Sequence, residues 1–197
     1  EKGYATDFVS AIIAPHLQAI ADSGIKLISN AGGVNPEACG RAIGQLIEDA
    51  GLSLKVAVIT GDDLIPKLDQ VLDSEPAEMF TGEPTPPREA IASANAYLGA
   101  FPIAAALNQG ADIVVTGRCV DSAVTLGTCI HRFGWQRNDL DLLAAGSLAG
   151  HLIECGPQAT GGNYTDWQEV ADTLHEVGYP IAEIAADGGV VMTKPKG

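Results

Sequence analysis

The sequence predicts an α/β fold with a mainly parallel sheet, helices on both faces of the sheet, and an antiparallel hairpin near the C-terminus. Short apolar runs near residues 25, 54, 112 and 181 alternate with segments of helical periodicity, which is typical of βαβ units. Hydrophobic residues make up 46% of the chain and charged residues 18%, as in globular proteins. Since 197 residues can bury one core without disulfides or metals, we expect a single α/β domain over residues 1–197.

The first strand-to-helix unit follows a predicted helix over residues 7–23. Residues 25–29 form a short apolar run typical of a strand, and glycines interrupt the chain directly after it. Asn35 is a good helix N-cap, and Pro36 suits the first position of a helix. The pattern therefore predicts a strand, a glycine-rich turn and a capped helix that ends near Ala50.

A second strand is predicted over residues 52–59, before Asp62, Asp63 and a helix over residues 64–72. Two adjacent carboxylates at a strand end could hold a magnesium ion, but paired aspartates before a helix more often act as plain caps. Four prolines and several acidic residues then predict a loop or inserted excursion over residues 73–88.

The segment over residues 91–99 carries Asn95 and Tyr97 and precedes a predicted helix over residues 102–108. A buried asparagine or tyrosine usually satisfies backbone polar groups. Near a ligand crevice, either side chain could instead orient a substrate, and the sequence leaves both interpretations open.

The central strand is predicted at residues 112–116, a β-branched run typical of a strand that is covered on both faces. Gly117 ends it, and Asp121 and Ser122 are candidate caps of the next helix. Because the carboxyl ends of strands face the ligand crevice in open α/β sheets, Arg118 is placed to bind a carboxylate or phosphate with two parallel hydrogen bonds. The alternative is a surface arginine beside a structural cap.

A long helix is predicted over residues 140–155. His151 and Glu154 are three residues apart and so share one helical face, where they could transfer a proton or simply form a hydrogen bond. A third glycine turn, residues 156–163, is rich in backbone donors, and a further helix is predicted over residues 167–177.

Two strand-like runs, residues 181–184 and 190–193, flank the turn-forming sequence Asp187-Gly188-Gly189. They predict an antiparallel hairpin, which we expect to extend the edge of the parallel sheet.

The charge balance and the cysteines exclude several classes of protein. With 25 acidic and 11 basic residues the net charge is -14, and no Lys/Arg stripe is present to bind nucleic acid or an anionic membrane. The four cysteines lack a CxxC pair, which favours reduced thiols in the cytoplasm. No tightly bound metal is expected, because Glu154 and Cys155 project about 100° apart on a helix and suit one tetrahedral ion poorly.

Four long stretches resemble the acyclic terpene utilisation protein family, AtuA. They are LISNAGGVNP, ANAYLGAFPIAAALNQGADIVVTGRCVDSA, FGWQRNDLDLLAAGSLAGHLIECGPQATGG and YPIAEIAADGGVVMTKPKG. The resemblance implies a bacterial protein from the breakdown of branched acyclic terpenes such as citronellol and geraniol, whose intermediates travel as coenzyme A thioesters. Because family members are longer at both ends and this chain begins without methionine, we expect it to be an internal fragment of a longer polypeptide.

Together these observations predict an enzyme that acts on a branched acyl-CoA or related carboxylate, of the hydratase, lyase or hydrolase type. Coenzyme A would enter as part of the substrate, with no other cofactor, and a homo-oligomer is compatible with the sequence. The candidate catalytic residues are His151, Asp121 and Glu154. The candidate substrate-binding residues are Arg118, Asn30, Gly32, Gly33, Asn35, Asn95, Gly117, Ser122, Gly161 and Gly162. The alternative is a non-catalytic binding or scaffold subunit of the same pathway.

Overall fold

In a computed structural model, which describes residues 2–195, the chain groups into two compact units. The first unit contains the residues up to Leu98 together with Gly110–Cys119. The second unit contains Gly99–Gln109 and the residues from Val120 onward. The single domain expected from the sequence stays a prediction.

The first unit is built on a three-stranded parallel sheet. Its strands are β1 (Leu27–Ser29), β2 (Val56–Ile59) and β3 (Ile113–Thr116), in the order β1-β3-β2. Ile113 is in register with both Leu27 and Val56, and all four residues of β3 are buried. The carboxyl ends of the three strands therefore open at the same edge, as the sequence predicted.

Helices flank this sheet and close its core. A π-helical stretch, Phe8–Ile13, continues as α1 (Ala14–Ser23), and α1 ends at Gly24 in the left-handed conformation, where φ is 63°. Helix α2 is Pro36–Asp49, and helix α3 is Leu68–Leu72. The buried cluster joins apolar side chains of the first helical segment, α2 and the sheet: Val9, Ile13, Leu17, Ile20, Cys39, Ile43, Ile47, Ile113 and Val115.

Between α3 and β3 the first unit contains mostly irregular backbone. Short 3₁₀ turns occur at Ile65–Lys67 and Arg88–Ala90. In the proline-rich excursion an isolated bridge pairs Ala77 with Pro84. The Glu78 carboxylate accepts hydrogen bonds from two backbone N–H groups, of which the bond from Thr81 contributes most to lowering the pKa of this group.

The second unit contains three α-helices and an antiparallel hairpin. The helices are α4 (Phe101–Asn108), α5 (Ala123–Phe133) and α6 (Leu140–Glu154). Two 3₁₀ helices follow, Gly156–Thr160 and Trp167–Glu176, and then β4 (Ile181–Ile184) and β5 (Val190–Thr193). Glycines allow close helix packing, since a Cβ at Gly127 would lie 2.7 Å from the Ile103 side chain.

The hairpin forms as predicted, but its expected place at the edge of the parallel sheet is wrong. Among residues 2–195, strands β4 and β5 pair only with each other, in a separate two-stranded sheet. The hairpin is instead attached to its own unit, since Nε1 of Trp135, in the loop between α5 and α6, donates to the carbonyl oxygen of Ala186 at 3.0 Å. Turn chemistry determines that two strands pair, but packing determines which neighbours the pair receives. Across the described residues, no helix is long and apolar enough to cross a membrane.

Candidate functional site

The turns after β1 and β3 lie side by side at the carboxyl edge of the sheet. A Cβ on Gly32 would lie 2.5 Å from the carbonyl oxygen of Thr116, so only glycine permits this approach. Gly33 has a positive φ of 54°, and its Cβ position lies 2.8 Å from the carbonyl oxygen of Gly3. The structure therefore brings the first glycine turn next to the end of the central strand, where the sequence predicted a crevice.

Polar groups of this first turn form hydrogen bonds with other groups of the protein. The Oδ1 atom of Asn35 accepts from the N–H of Ala38 at 3.2 Å, which confirms the predicted cap of α2, and Nδ2 donates to the carbonyl oxygen of Lys2 at 3.1 Å. Asn30 is exposed and lines an open cleft of about 920 Å³ with Gly33 and the segment that begins at Lys2. Of the two asparagines, Asn30 has the side chain more available to a ligand.

Asp62 joins the end of β2 to the end of β3. It is 3% exposed, and its Oδ2 atom accepts from the backbone N–H of Arg118 at 2.9 Å and from Nδ2 of Asn95 at 3.2 Å. Gly117 makes room for the carboxylate, because a Cβ at this position would lie 2.6 Å from Cγ of Asp62. Three of the predicted site residues, Asn95, Gly117 and Arg118, thus surround one buried carboxylate.

The side chain of Arg118 projects from this anchored turn. It is exposed, and its guanidinium carbon lies 5.7 Å from the centroid of the Tyr97 ring, within the range of a cation–π contact. Among the described residues of the first unit, no carboxylate forms an ion pair with Arg118. The guanidinium therefore keeps its hydrogen-bond donors available for an anion from solution.

Asp121 and Ser122 directly precede α5 in the second unit, but they do not cap it as expected. Ser122 has helical backbone angles, φ -71° and ψ -12°, whereas a capping residue usually has extended ones. In the described chain neither side chain accepts a hydrogen bond from the start of α5, and the N–H of Ala123 donates instead to the carbonyl oxygen of Val120 at 2.8 Å. The predicted cap is wrong, because a backbone turn occupies the position that the cap requires.

His151 and Glu154 are both exposed on α6, and within residues 2–195 no hydrogen bond or ion pair joins them. The Oε2 atom of Glu154 instead accepts from the thiol of Cys155 at 2.7 Å. That hydrogen bond is the main cause of the raised pKa of Cys155, and the negative charges of Glu154 and Asp121 act in the same direction. Cys155 is therefore held as a thiol and is a poor nucleophile.

The third glycine turn contains Gly161 and Gly162. Gly161 has a φ of 125°, and the N–H of Gly162 donates to the carbonyl oxygen of Pro157 at 2.7 Å. Gly161 also lines an apolar cleft of about 530 Å³ with Tyr164 and Leu174. The turn is thus stabilised by its own backbone and forms part of a surface cleft of the second unit.

The paired aspartates after β2 have separate structural roles. The Oδ1 atom of Asp63 accepts from the N–H of Ile65 at 3.0 Å, which is a local cap, while Asp62 binds Arg118 and Asn95. Among the described residues, no three His, Cys, Asp or Glu side chains form a group that could hold a metal ion. The expectation that no metal is tightly bound stays a prediction.

Comparison with known proteins adds one finding. The family model described as acyclic terpene utilisation family protein AtuA matches residues 1–197, the whole chain. The chain belongs to the AtuA family. Neither a curated protein nor a solved structure matches it. Membership of the AtuA family associates the chain with acyclic terpene utilisation and gives no specific reaction.

The central position of Asp62 in this AtuA-family chain was missed by the sequence analysis, which considered it only as a cap or a magnesium ligand. Its partners are distant in sequence, since Asn95 is 33 positions away and Arg118 is 56. A signal was present, because an aspartate after one parallel strand lies at the same edge as an arginine after its neighbour. Using this signal would have required a prediction from the sequence that β2 pairs with β3 in this register.

Proposed function

We propose that this AtuA-family protein is an enzyme of acyclic terpene catabolism that acts on a branched acyl-CoA or a related carboxylate, by a hydratase, lyase or hydrolase reaction. The observation that supports this most is the Arg118 guanidinium, which is exposed at the carboxyl edge of the sheet without a carboxylate partner in the described first unit. This edge is where ligands bind in open α/β sheets.

Arg118 would hold the anionic group of the substrate. A guanidinium presents its donors in a planar fork that fits a carboxylate or phosphate with two parallel hydrogen bonds. The Tyr97 ring supports one face of the cation, which leaves its edge for the ligand. The chain has 25 acidic and only 11 basic residues, so few other side chains could bind an anionic substrate.

The proposed proton-transfer residues are His151, Asp121 and Glu154, all in the second unit. A histidine imidazole can act as either a proton acceptor or a proton donor, as hydration or hydrolysis of a thioester requires. Backbone N–H groups of the glycine turns would stabilise the oxyanion that forms on the thioester carbonyl.

A second function, a non-catalytic binding or scaffold subunit of the same pathway, is favoured by one observation. In the described chain, no carboxylate accepts a hydrogen bond from the ring of His151, whereas a catalytic histidine is usually oriented by such a partner. The Cys155 thiol, with its raised pKa, adds no nucleophile. Arg118 would serve either function, since binding an anion does not require turnover.

The two functions are separated by incubating the protein with straight-chain and methyl-branched acyl-CoA thioesters, both saturated and α,β-unsaturated, and following products by mass spectrometry. We expect turnover of a branched thioester, and its loss in His151→Ala. Tight binding without turnover would favour the scaffold function. Absence of both binding and turnover across the whole panel would refute both proposals.

A further inference from the structure

Three structural elements meet at Asp62. They are the end of β2, the segment that carries Asn95 and Tyr97, and the Gly117–Arg118 turn after β3. The backbone oxygen of Asp62 accepts from the N–H of Ala96 at 2.8 Å, in addition to the two hydrogen bonds that its carboxylate accepts. One residue thus fixes both the backbone of Arg118 and the segment on which Tyr97 lies.

The segment and the turn are also joined directly to each other. The N–H of Leu98 donates to the carbonyl oxygen of Arg118 at 3.1 Å, and Leu98 pairs with Cys119 in an isolated parallel bridge. The peptide of Arg118 is therefore held on both sides, through its N–H by Asp62 and through its carbonyl by Leu98. This arrangement places the flexible arginine side chain over the Tyr97 ring before any ligand arrives.

Burial of a carboxylate is energetically unfavourable unless hydrogen bonds replace its contacts with water. Asp62 is 3% exposed, and no lysine or arginine side chain in the described first unit forms an ion pair with it. Burying an unpaired charge costs free energy that only hydrogen bonds from N–H groups offset. The cost is consistent with a role beyond folding.

We propose that Asp62 is the positioning residue of the anion site: through the N–H of Arg118 and through Asn95 it holds the Arg118 guanidinium and the Tyr97 ring in the geometry that binds a carboxylate or phosphate. The inference rests on the proposed function of Arg118. Its physical basis is preorganisation, since a guanidinium that is already ordered loses less conformational entropy when the anion binds.

Asp112 provides a matched control at the opposite end of the same strands. Its carboxylate also accepts a backbone N–H, that of Lys55 at 2.8 Å, and it forms an ion pair with Lys26 at 2.7 Å. Truncation of either aspartate removes a connection next to β3. Only Asp62 lies at the carboxyl edge beside Arg118.

The test measures affinity for isovaleryl-CoA by calorimetry, and melting temperature, in Asp62→Ala, Asp62→Asn and Asp112→Ala. We expect Asp62→Ala to weaken binding about tenfold, as for loss of a hydrogen bond to a charged group. Asp62→Asn keeps an acceptor for the N–H of Arg118 and should remain within roughly threefold of the original affinity. Asp112→Ala should lower the melting temperature without changing affinity.

The results that would overturn the inference are specific. Unchanged or tighter binding in Asp62→Ala would show that the carboxylate does not position Arg118, or that it mainly repels the anion. An equal loss of affinity in Asp112→Ala would mean that the loss of affinity in Asp62→Ala comes from general destabilisation. If Asp62→Ala does not fold, Asn95→Ala decides, because it removes the side-chain hydrogen bond between the Tyr97 segment and the Asp62 carboxylate and leaves the backbone bond from Ala96 in place. Unchanged affinity in that variant would refute the inference.

Hydrogen exchange in the ligand-free protein separates failure of this inference from failure of the proposed function. We expect Asp62→Ala, but not Asp112→Ala, to accelerate exchange at both Arg118 and Leu98, since release of the Arg118 peptide loosens both hydrogen bonds. If the unmodified protein binds no acyl-CoA, the proposed function is refuted, and exchange still tests positioning. If exchange at Leu98 stays slow in Asp62→Ala, the inference that Asp62 positions Arg118 is overturned.

Discussion

Arg118 and Arg137 show how alike two arginines can be locally while they differ in surroundings. Each is exposed and lies over an aromatic ring, Arg118 over Tyr97 at 5.7 Å and Arg137 over Phe101 at 4.0 Å. Only Arg118 follows a strand of the parallel sheet and has its backbone N–H bound by a buried carboxylate. The proposal of an anion site at Arg118 therefore depends on the surroundings of the residue more than on its type.

Replacement of Arg118 by lysine should weaken binding of an anionic ligand even though the charge is kept. A lysine is a point charge and cannot make the two-pronged contact, so we expect a loss on the order of 1.5–3 kcal/mol. Calorimetric titration with isovaleryl-CoA measures this, and Arg137→Lys is the control that should leave affinity unchanged. The melting temperature of Arg118→Lys should hardly move. A lowered melting temperature with unchanged affinity would instead make Arg118 a structural residue.

Helices α2 and α5 both follow strands of the sheet in the chain, yet only α2 has a side-chain cap. Asn35 precedes α2 with a non-helical backbone, φ -143°, and its side chain reaches the N–H of Ala38. Ser122 precedes α5 with a helical backbone and makes no such bond. The difference lies in backbone conformation, since both residue types are good caps.

Asn35→Ala should therefore destabilise the protein, by about 0.5–2 kcal/mol, through loss of the cap of α2. The matched variant Ser122→Ala should change stability by less than about 0.5 kcal/mol, because no capping bond is removed. Urea denaturation followed by circular dichroism measures both. Equal losses in the two variants would mean that Ser122 caps α5 in solution.

Across the whole molecule, acidic residues outnumber basic ones by 25 to 11. Asp112 is one acid with clear compensation, because it binds Lys26 and the N–H of Lys55 beside the amino ends of the strands. Burial opposes its ionisation, but the hydrogen bonds and the charges of the two lysines outweigh burial, so its pKa is lowered. The folded state therefore favours the ionised form more than the unfolded state does.

The contribution of Asp112 to stability should consequently be complete above the unfolded pKa, about 3.9, and disappear as pH falls through the lower folded pKa. We expect the difference in unfolding free energy between the unmodified protein and Asp112→Asn to be largest near neutral pH and to shrink below about pH 4. Urea denaturation at several pH values measures it. In a Lys26→Gln background the difference near neutral pH should be smaller. A difference that stays constant down to pH 3 would contradict the assignment.

The sequence by itself determined what depends on neighbours along the chain. The β-branched run of β3, the cap and proline of α2, and the turn Asp187-Gly188-Gly189 each predicted an element that the structure contains. These signals work because helix periodicity, capping and hairpin turns are set by residues within about four positions of one another. Similarity over the whole chain identified the AtuA family.

Tertiary structure alone decided what depends on distant residues. It placed the hairpin in a sheet of its own, left Ser122 without a capping role, and brought Asp62 to the N–H of Arg118 across 56 positions. A buried carboxylate has to find its donors wherever packing places them, and no local pattern specifies that partner. The sequence could therefore suggest Arg118 as a candidate for anion binding, whereas only the fold shows that Asp62 holds its backbone N–H.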